Sequence, residues 1–181
     1  MTAFLGVYLV ACGLLVVAGA LKVARPSDTA LALTRWWPSF PARRARHTVR
    51  LLAGLEAVLG LVGLAYPDAV AGALVATSYV GFVGVVGYAR ARGGPLATCG
   101  CFGTPDTPPT LTHALIDAVL AFAAAAYAAA GGRAWLPSVL RHQYFRGIPL
   151  LVAAALCGWL AFLAMVRLAR LQAAQLQLGS R

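Results

Sequence analysis

Residues 49–89 read VRLLAGLEAVLGLVGLAYPDAVAGALVATSYVGFVGVVGYA. A helix that crosses a bilayer needs about 20 mostly apolar residues, and this stretch holds two, at 49–66 and 69–89, with only Pro67 and Asp68 between them. Working outward, further runs of the same kind lie at 3–23, 111–131 and 148–167. The chain therefore reads as an all-α integral membrane protein: a four-helix transmembrane bundle plus a fifth C-terminal transmembrane helix. The first run also carries Ala18-Gly19-Ala20, similar to a signal-peptide cleavage site, but it lacks a basic leader and its apolar run is too long for one, so it is expected to stay as a span.

Composition agrees with the spans. Of 181 residues 61% are hydrophobic and 11% charged, whereas a soluble domain is nearer half apolar and a quarter charged. The net charge of +10 would ordinarily suggest nucleic acid, but the basic residues fall in short patches between apolar runs, which is how loops orient a membrane protein. The expected partner is thus the lipid bilayer and not nucleic acid. Disorder, a collagen-like fibre and a small disulfide scaffold are excluded on the same grounds.

Charge also predicts an orientation. Lys22, Arg25, Arg35, Arg43, Arg44, Arg46, Arg50, Arg90, Arg92, Arg167, Arg170 and Arg181 fall on one side, against Arg133, Arg141 and Arg146 on the other. The positive-inside rule then puts the N-terminus outside and the C-terminus and the 93–105 connection in the cytoplasm, for a multi-pass protein of the plasma membrane. Residues 27–40 predict a short interfacial helix, with Ser27 as its N-cap and Trp36 and Trp37 at headgroup depth. Residues 131–147, with Trp135, Tyr144 and Phe145, repeat the theme on the other side.

Close packing of the first four spans is expected from small residues: Gly81, Gly84 and Gly87 at three-residue spacing, Ala53 and Ala57 four apart, and the alanine-rich fourth span. No repeat is evident.

The chemistry points to the connection Gly93-Gly94-Pro95-Leu96-Ala97-Thr98-Cys99-Gly100-Cys101-Phe102-Gly103-Thr104-Pro105. Glycine and proline break helix on both sides, which puts Cys99 and Cys101 on a tight turn at the membrane surface, with Gly100 free in its backbone angles. Two cysteines one residue apart close a small strained ring, and strained disulfides are the readily reduced ones. The alternatives are a pair of free thiols, or half a metal site completed by His47 or His113. No second cysteine pair or haem attachment motif is present, so neither a metal nor another cofactor is expected. Cys12 and Cys157, each midway along a span, read as small apolar residues, with a relay across the membrane as the alternative.

With these spans, Glu56 and Asp117 lie at a common depth roughly 10 Å below the surface that carries the cysteine turn. His113 and Asp117, four apart, share a helical face. Ionisable groups at such depth usually face the bundle interior. They serve either in mutual hydrogen bonding, such as Asp117 to His113 or Glu56 to Lys22 or Arg50, or in moving protons for a nearby thiolate.

The Cys99-Gly100-Cys101-Phe102-Gly103 sequence resembles the Cys-x-Cys-Phe-Gly signature of the MauE family of methylamine-utilisation membrane proteins, related to the DoxX-like four-helix proteins. Lys22 followed by Pro26, Glu56 early in the second span and Arg90/Arg92 before the motif match in order. The resemblance divides the chain into a four-helix domain at 1–131 and, at 132–181, an interfacial segment, a fifth helix and a basic tail that depart from the family pattern. It implies a redox accessory whose Cys99/Cys101 dithiol works with a thioredoxin-like partner, with Glu56 a polar group of the core, to which the residues' own placement adds Lys22, His113 and Asp117 as polar supports. The implied client is an exported amine dehydrogenase subunit, methylamine dehydrogenase having a small subunit with many disulfides and a tryptophan-derived quinone. Such a client works outside, whereas the charge count puts the cysteine turn inside. Either the turn takes electrons from a cytoplasmic thioredoxin-like protein, or the count misleads. Two other readings are a DoxX-like quinone-linked enzyme or small-molecule carrier built on the polar zone around Glu56, and a structural membrane anchor.

Overall fold

A computed structural model describes residues 2–92, 111–132 and 144–163. The described residues form six helices: α1 (Thr2–Ala24), α2 (Ser27–Trp36), α3 (Ala42–Ala65), α4 (Ala69–Arg92), α5 (Leu111–Ala129) and α6 (Tyr144–Leu163). Four of them, α1, α3, α4 and α5, are long and apolar enough to cross a membrane. The described part of α6 adds a shorter apolar stretch, Val152–Ala161. The chain is an all-α, multi-pass membrane protein, as its apolar runs require. Cys99, Gly100, Cys101, Phe102 and Gly103, the 133–143 segment with Trp135, and the tail beyond 163 lie outside the described residues.

The helix boundaries follow local chemistry. Pro41, in extended backbone at φ −62° and ψ 132°, precedes α3 and accepts the Ala45 N–H at 3.0 Å. That helix begins seven residues before the apolar run at 49, so Arg43, Arg44, Arg46 and His47 are helical and not loop residues. Arginine propagates helix well, and an arginine turn can stand outside the hydrocarbon. Between α3 and α4 the Asp68 carboxylate caps α4, accepting the Ala71 N–H at 2.7 Å. Helix α5 ends in a Schellman turn, with Gly131 at φ +68° and the Gly132 N–H donating to the Tyr127 carbonyl at 3.2 Å. Helix α2 forms as expected, but Ser27 is its first helical residue and not its cap. Pro26 takes that place, its carbonyl accepting the Ala30 N–H at 2.9 Å, and no side chain caps the turn.

Helix α1 is the hub. Leu5, Tyr8, Leu9, Cys12, Leu14 and Leu15 are all buried in one core with Val75, Tyr79, Leu120 and Ala124. Its most extensive partner is α3, while α4 packs chiefly on α5, and α6 lies against α1. The outer faces of α3, α4 and α5 leave Leu51, Leu55, Val70, Leu115 and Phe122 exposed, as lipid-facing side chains are.

Small residues make the α1–α3 seam, though not all of those expected. A Cβ added at Gly19 meets the Ala53 carbonyl at 2.6 Å and the Ala57 nitrogen at 2.7 Å. At Gly60 it meets the Cys12 carbonyl at 2.7 Å, and at Gly63 it meets both Cys12 Sγ and the Tyr8 hydroxyl at 2.8 Å. Ala53 and Ala57 therefore do bring two helices close, and Ala18-Gly19-Ala20 is part of a helix contact. By contrast, Gly81, Gly84 and Gly87 have nothing within 4 Å of an added Cβ, so the stripe on α4 does not form a helix seam among the described residues. Spacing puts three glycines on one face. Only the neighbouring helices decide whether that face is covered.

Candidate functional site

Lys22, in the last turn of α1, is buried. It was grouped with the loop arginines by sequence order. In the folded chain it is withdrawn into the bundle, where its ammonium forms a salt bridge with the Glu56 carboxylate of α3. The Lys22 Nζ also lies 4.9 Å from the centroid of the Phe82 ring on α4, within cation–π range. A compact ammonium on a long stem suits this position, and Lys22 is the one lysine in the sequence.

Glu56 thus finds its cation across two helices. Of the two partners proposed for it on sequence grounds, Lys22 and Arg50, the fold selects Lys22. Asp117, on α5, is buried and lies within the electrostatic reach of Lys22. His113, one turn earlier on α5, is buried as well. Four helices converge here: Lys22 from α1, Glu56 from α3, Phe82 and its neighbour Tyr79 from α4, and Asp117 from α5.

Tyr79 was not singled out in the sequence, since a tyrosine in an apolar run resembles any core aromatic. It is buried, its ring edge-on to Phe82 at 5.6 Å, and its hydroxyl donates to the Ala11 carbonyl at 2.7 Å. Asp117, Cys12 and Glu56 are its titratable neighbours. The clue available beforehand was its polar tip inside a span, which must find an acceptor.

One ammonium faces two carboxylates in this cluster. With both carboxylates ionised the trio carries one surplus negative charge, and taking up a single proton makes it neutral. Such a group can accept or release a proton without stranding a bare cation in the apolar layer, where an uncompensated charge is costly. The Glu56 side also borders a cavity of about 400 Å³ between α3 and α4, walled by Leu52, Leu55, Leu59, Phe82 and Val85. The Thr77 and Ser78 hydroxyls on its rim are turned inward to the Ala73 and Leu74 carbonyls, at 2.8 and 3.0 Å.

The remaining cysteines separate. Cys12 is a buried free thiol whose sulfur faces Gly63 of α3 and the Tyr8 hydroxyl. Cys157 is exposed on α6, which packs on a different face of α1, through Val10 and Gly158. Among the described residues no group of three or more His, Cys, Asp and Glu is assembled that could hold a metal ion. His47 is exposed on α3, whereas His113 is buried on α5.

The polar cluster stands at the end of the bundle where α1 and α4 finish and α3 and α5 begin. The 93–110 connection, which carries Cys99 and Cys101, joins Arg92 of α4 to Leu111 of α5 at that same end. No curated protein and no solved structure matches the chain. A family model does: residues 1–131 match that of methylamine utilisation protein MauE, and with well over half of its length matched the chain belongs to the MauE family.

Proposed function

We propose that this membrane protein is a redox accessory of methylamine utilisation, exchanging thiol and disulfide with a thioredoxin-like partner through Cys99 and Cys101. The observation that carries this reading is the convergence of Lys22, Glu56 and Asp117, from α1, α3 and α5, at the bundle end to which the Cys99/Cys101 connection is tied. Dithiol exchange moves protons with electrons, and a carboxylate pair around one ammonium is suited to take them.

In one direction, the thiolate of one cysteine attacks a sulfur of the partner's disulfide. A mixed disulfide forms and the partner's other sulfur leaves as a thiolate. The second cysteine then attacks the mixed disulfide, closing a Cys99–Cys101 disulfide and releasing the partner as a dithiol. Two electrons pass to the partner, two protons leave the chain's thiols, and two are taken up by the partner's sulfurs. The reverse direction runs through the same intermediate. Gly100 gives the turn its backbone freedom, Phe102 and Gly103 complete its shape, and Glu56, Asp117 and His113 handle protons, with Lys22 holding Glu56 in place. The client is an exported amine dehydrogenase subunit, and the cysteine connection faces the cytoplasm.

Trapping tests the reaction. Of the Cys99→Ser and Cys101→Ser variants, the one that keeps the attacking cysteine forms the mixed disulfide but cannot resolve it, and is expected to accumulate a covalent complex with a thioredoxin-like protein, seen on a non-reducing gel. Absence of that complex in both variants, with methylamine growth retained, overturns the proposal. Labelling Cys99 and Cys101 in intact cells with an impermeant thiol reagent tests the side: no labelling before permeabilisation, and labelling after it, is expected.

A further inference from the structure

We propose that the first two turns of α3, together with α2, form a docking surface for the anionic phosphate headgroups of the bilayer. This rests on neither the dithiol nor the client. Arg43, Arg46 and Arg50 recur at three- and four-residue spacing, so they share one face of α3, with Arg44 beside them, and all four are exposed. A neighbouring face of the same turns holds Ala45 and Val49, buried against Ala30 of α2. That contact lays α2 alongside the arginine turns and leaves Leu31 and Trp37 exposed at the same level.

Depth and charge identify the occupant. From Arg43 to Arg50 the helix rises roughly 10 Å, comparable with the headgroup layer on one side of a bilayer, roughly 5–8 Å. Directly below, Leu51, Leu52 and Leu55 are exposed at 71%, 55% and 66%, which marks the start of the acyl region. The change from guanidinium to leucine therefore falls between Arg50 and Leu51, where phosphate gives way to hydrocarbon. Across residues 27–55 the sequence holds one acid, Asp28, against Arg35, Arg43, Arg44, Arg46 and Arg50, so the stretch keeps a net positive charge. Guanidinium groups bind phosphate oxygens in a bidentate fork, and an exposed indole alongside fits a headgroup–acyl boundary better than a nucleic-acid backbone.

The test uses the full-length protein in detergent with equimolar phosphatidylglycerol and phosphatidylcholine, the retained lipid being counted by native mass spectrometry. Wild type is expected to retain phosphatidylglycerol at least about fivefold over phosphatidylcholine, the effect of roughly one surface arginine. The triple variant R43Q/R46Q/R50Q is expected to bring the two lipids close to parity. Equal retention by wild type overturns the proposal. So does an unchanged preference in the triple variant, which leaves the arginines as signals of topology alone. A second measurement avoids dependence on the variant's folding: raising salt from about 50 mM to about 500 mM is expected to erode the wild-type preference, and indifference to salt overturns it. Soluble glycerol phosphate and a short DNA duplex are expected to leave the retained lipid in place, and displacement by either counts against a bilayer surface.

Discussion

The two ends of the bundle are built from the same four helices and finish them in opposite ways. At the end away from Lys22, the buried tyrosine hydroxyls among the described residues are neutral and each is paired with a backbone carbonyl. The Tyr8 hydroxyl donates to the Gly63 carbonyl at 3.2 Å, the Tyr127 hydroxyl to the Pro67 carbonyl at 2.7 Å, and the two rings stack with centroids 4.4 Å apart. Only Tyr66, Pro67 and Asp68 link α3 to α4 there, and Asp68 caps the next helix. At the other end a buried ammonium is paired with the Glu56 carboxylate and has a second carboxylate, Asp117, within its electrostatic reach. The described tyrosine end is settled by neutral hydroxyl-to-carbonyl bonds, whereas the described charged end has one ammonium among two carboxylates, so its charges do not cancel in pairs.

The sharpest way to break this contrast is to remove Lys22. A Lys22→Met variant strands Glu56, and unfolding in mixed micelles is expected to show a loss of about 3–5 kcal/mol, as when one partner of a buried pair is deleted. The double variant K22M/E56M, which removes both partners of the salt bridge and leaves Asp117, is expected to recover the part of that loss due to the unpaired Glu56. Failure to recover assigns the cost to packing and erases the electrostatic distinction between the ends.

Next in size is the seam that both ends share. Gly19→Val drives a side chain into the backbone of Ala53 and Ala57, which cannot step aside, and is expected to cost about 1–3 kcal/mol in the same assay. The tyrosine end is expected to be softer to single changes. Tyr127→Phe removes one neutral hydrogen bond and leaves the Pro67 carbonyl unpaired, for a loss of about 1 kcal/mol. A loss as large as that of K22M puts the two ends on an equal footing. The smallest effect, opposite in sign, is expected at Gly84. Nothing lies near its added Cβ, so Gly84→Ala is expected to stabilise α4 by up to about 1 kcal/mol. Destabilisation instead means that the glycine stripe is in contact after all, with lipid or another chain.

Much of this contrast could be read before the fold was seen, and the reasons differ from residue to residue. Glu56 and Asp117 stand out in apolar runs because ionisable groups there are expensive and must turn inward. The number and order of spans then put them at one depth. Lys22 was harder: near the end of the first apolar run it counts with the loop cations and is only one of two candidate partners for Glu56, until the fold buries it in the last turn of α1. Tyr79 and Phe82 were not visible as parts of the site, since nothing in their run separates an aromatic that faces a charge from one that faces lipid. Gly60 and Gly63 went unnoticed while Gly81, Gly84 and Gly87 drew attention, because spacing reports a face but never its partner.

The sequence by itself determined that the chain is a bundle of membrane-spanning helices with a cysteine pair in one connection. The reason is that bilayer thickness and backbone hydrogen bonding admit little else for apolar runs of this length. Only the tertiary structure decided that Lys22 belongs with Glu56 and not with the loop arginines, and that Ala53, Ala57, Gly60 and Gly63 form the seam against α1. Both are decisions about which helix meets which. Such contacts depend on shape and charge across tens of residues, and no local pattern along one helix encodes them.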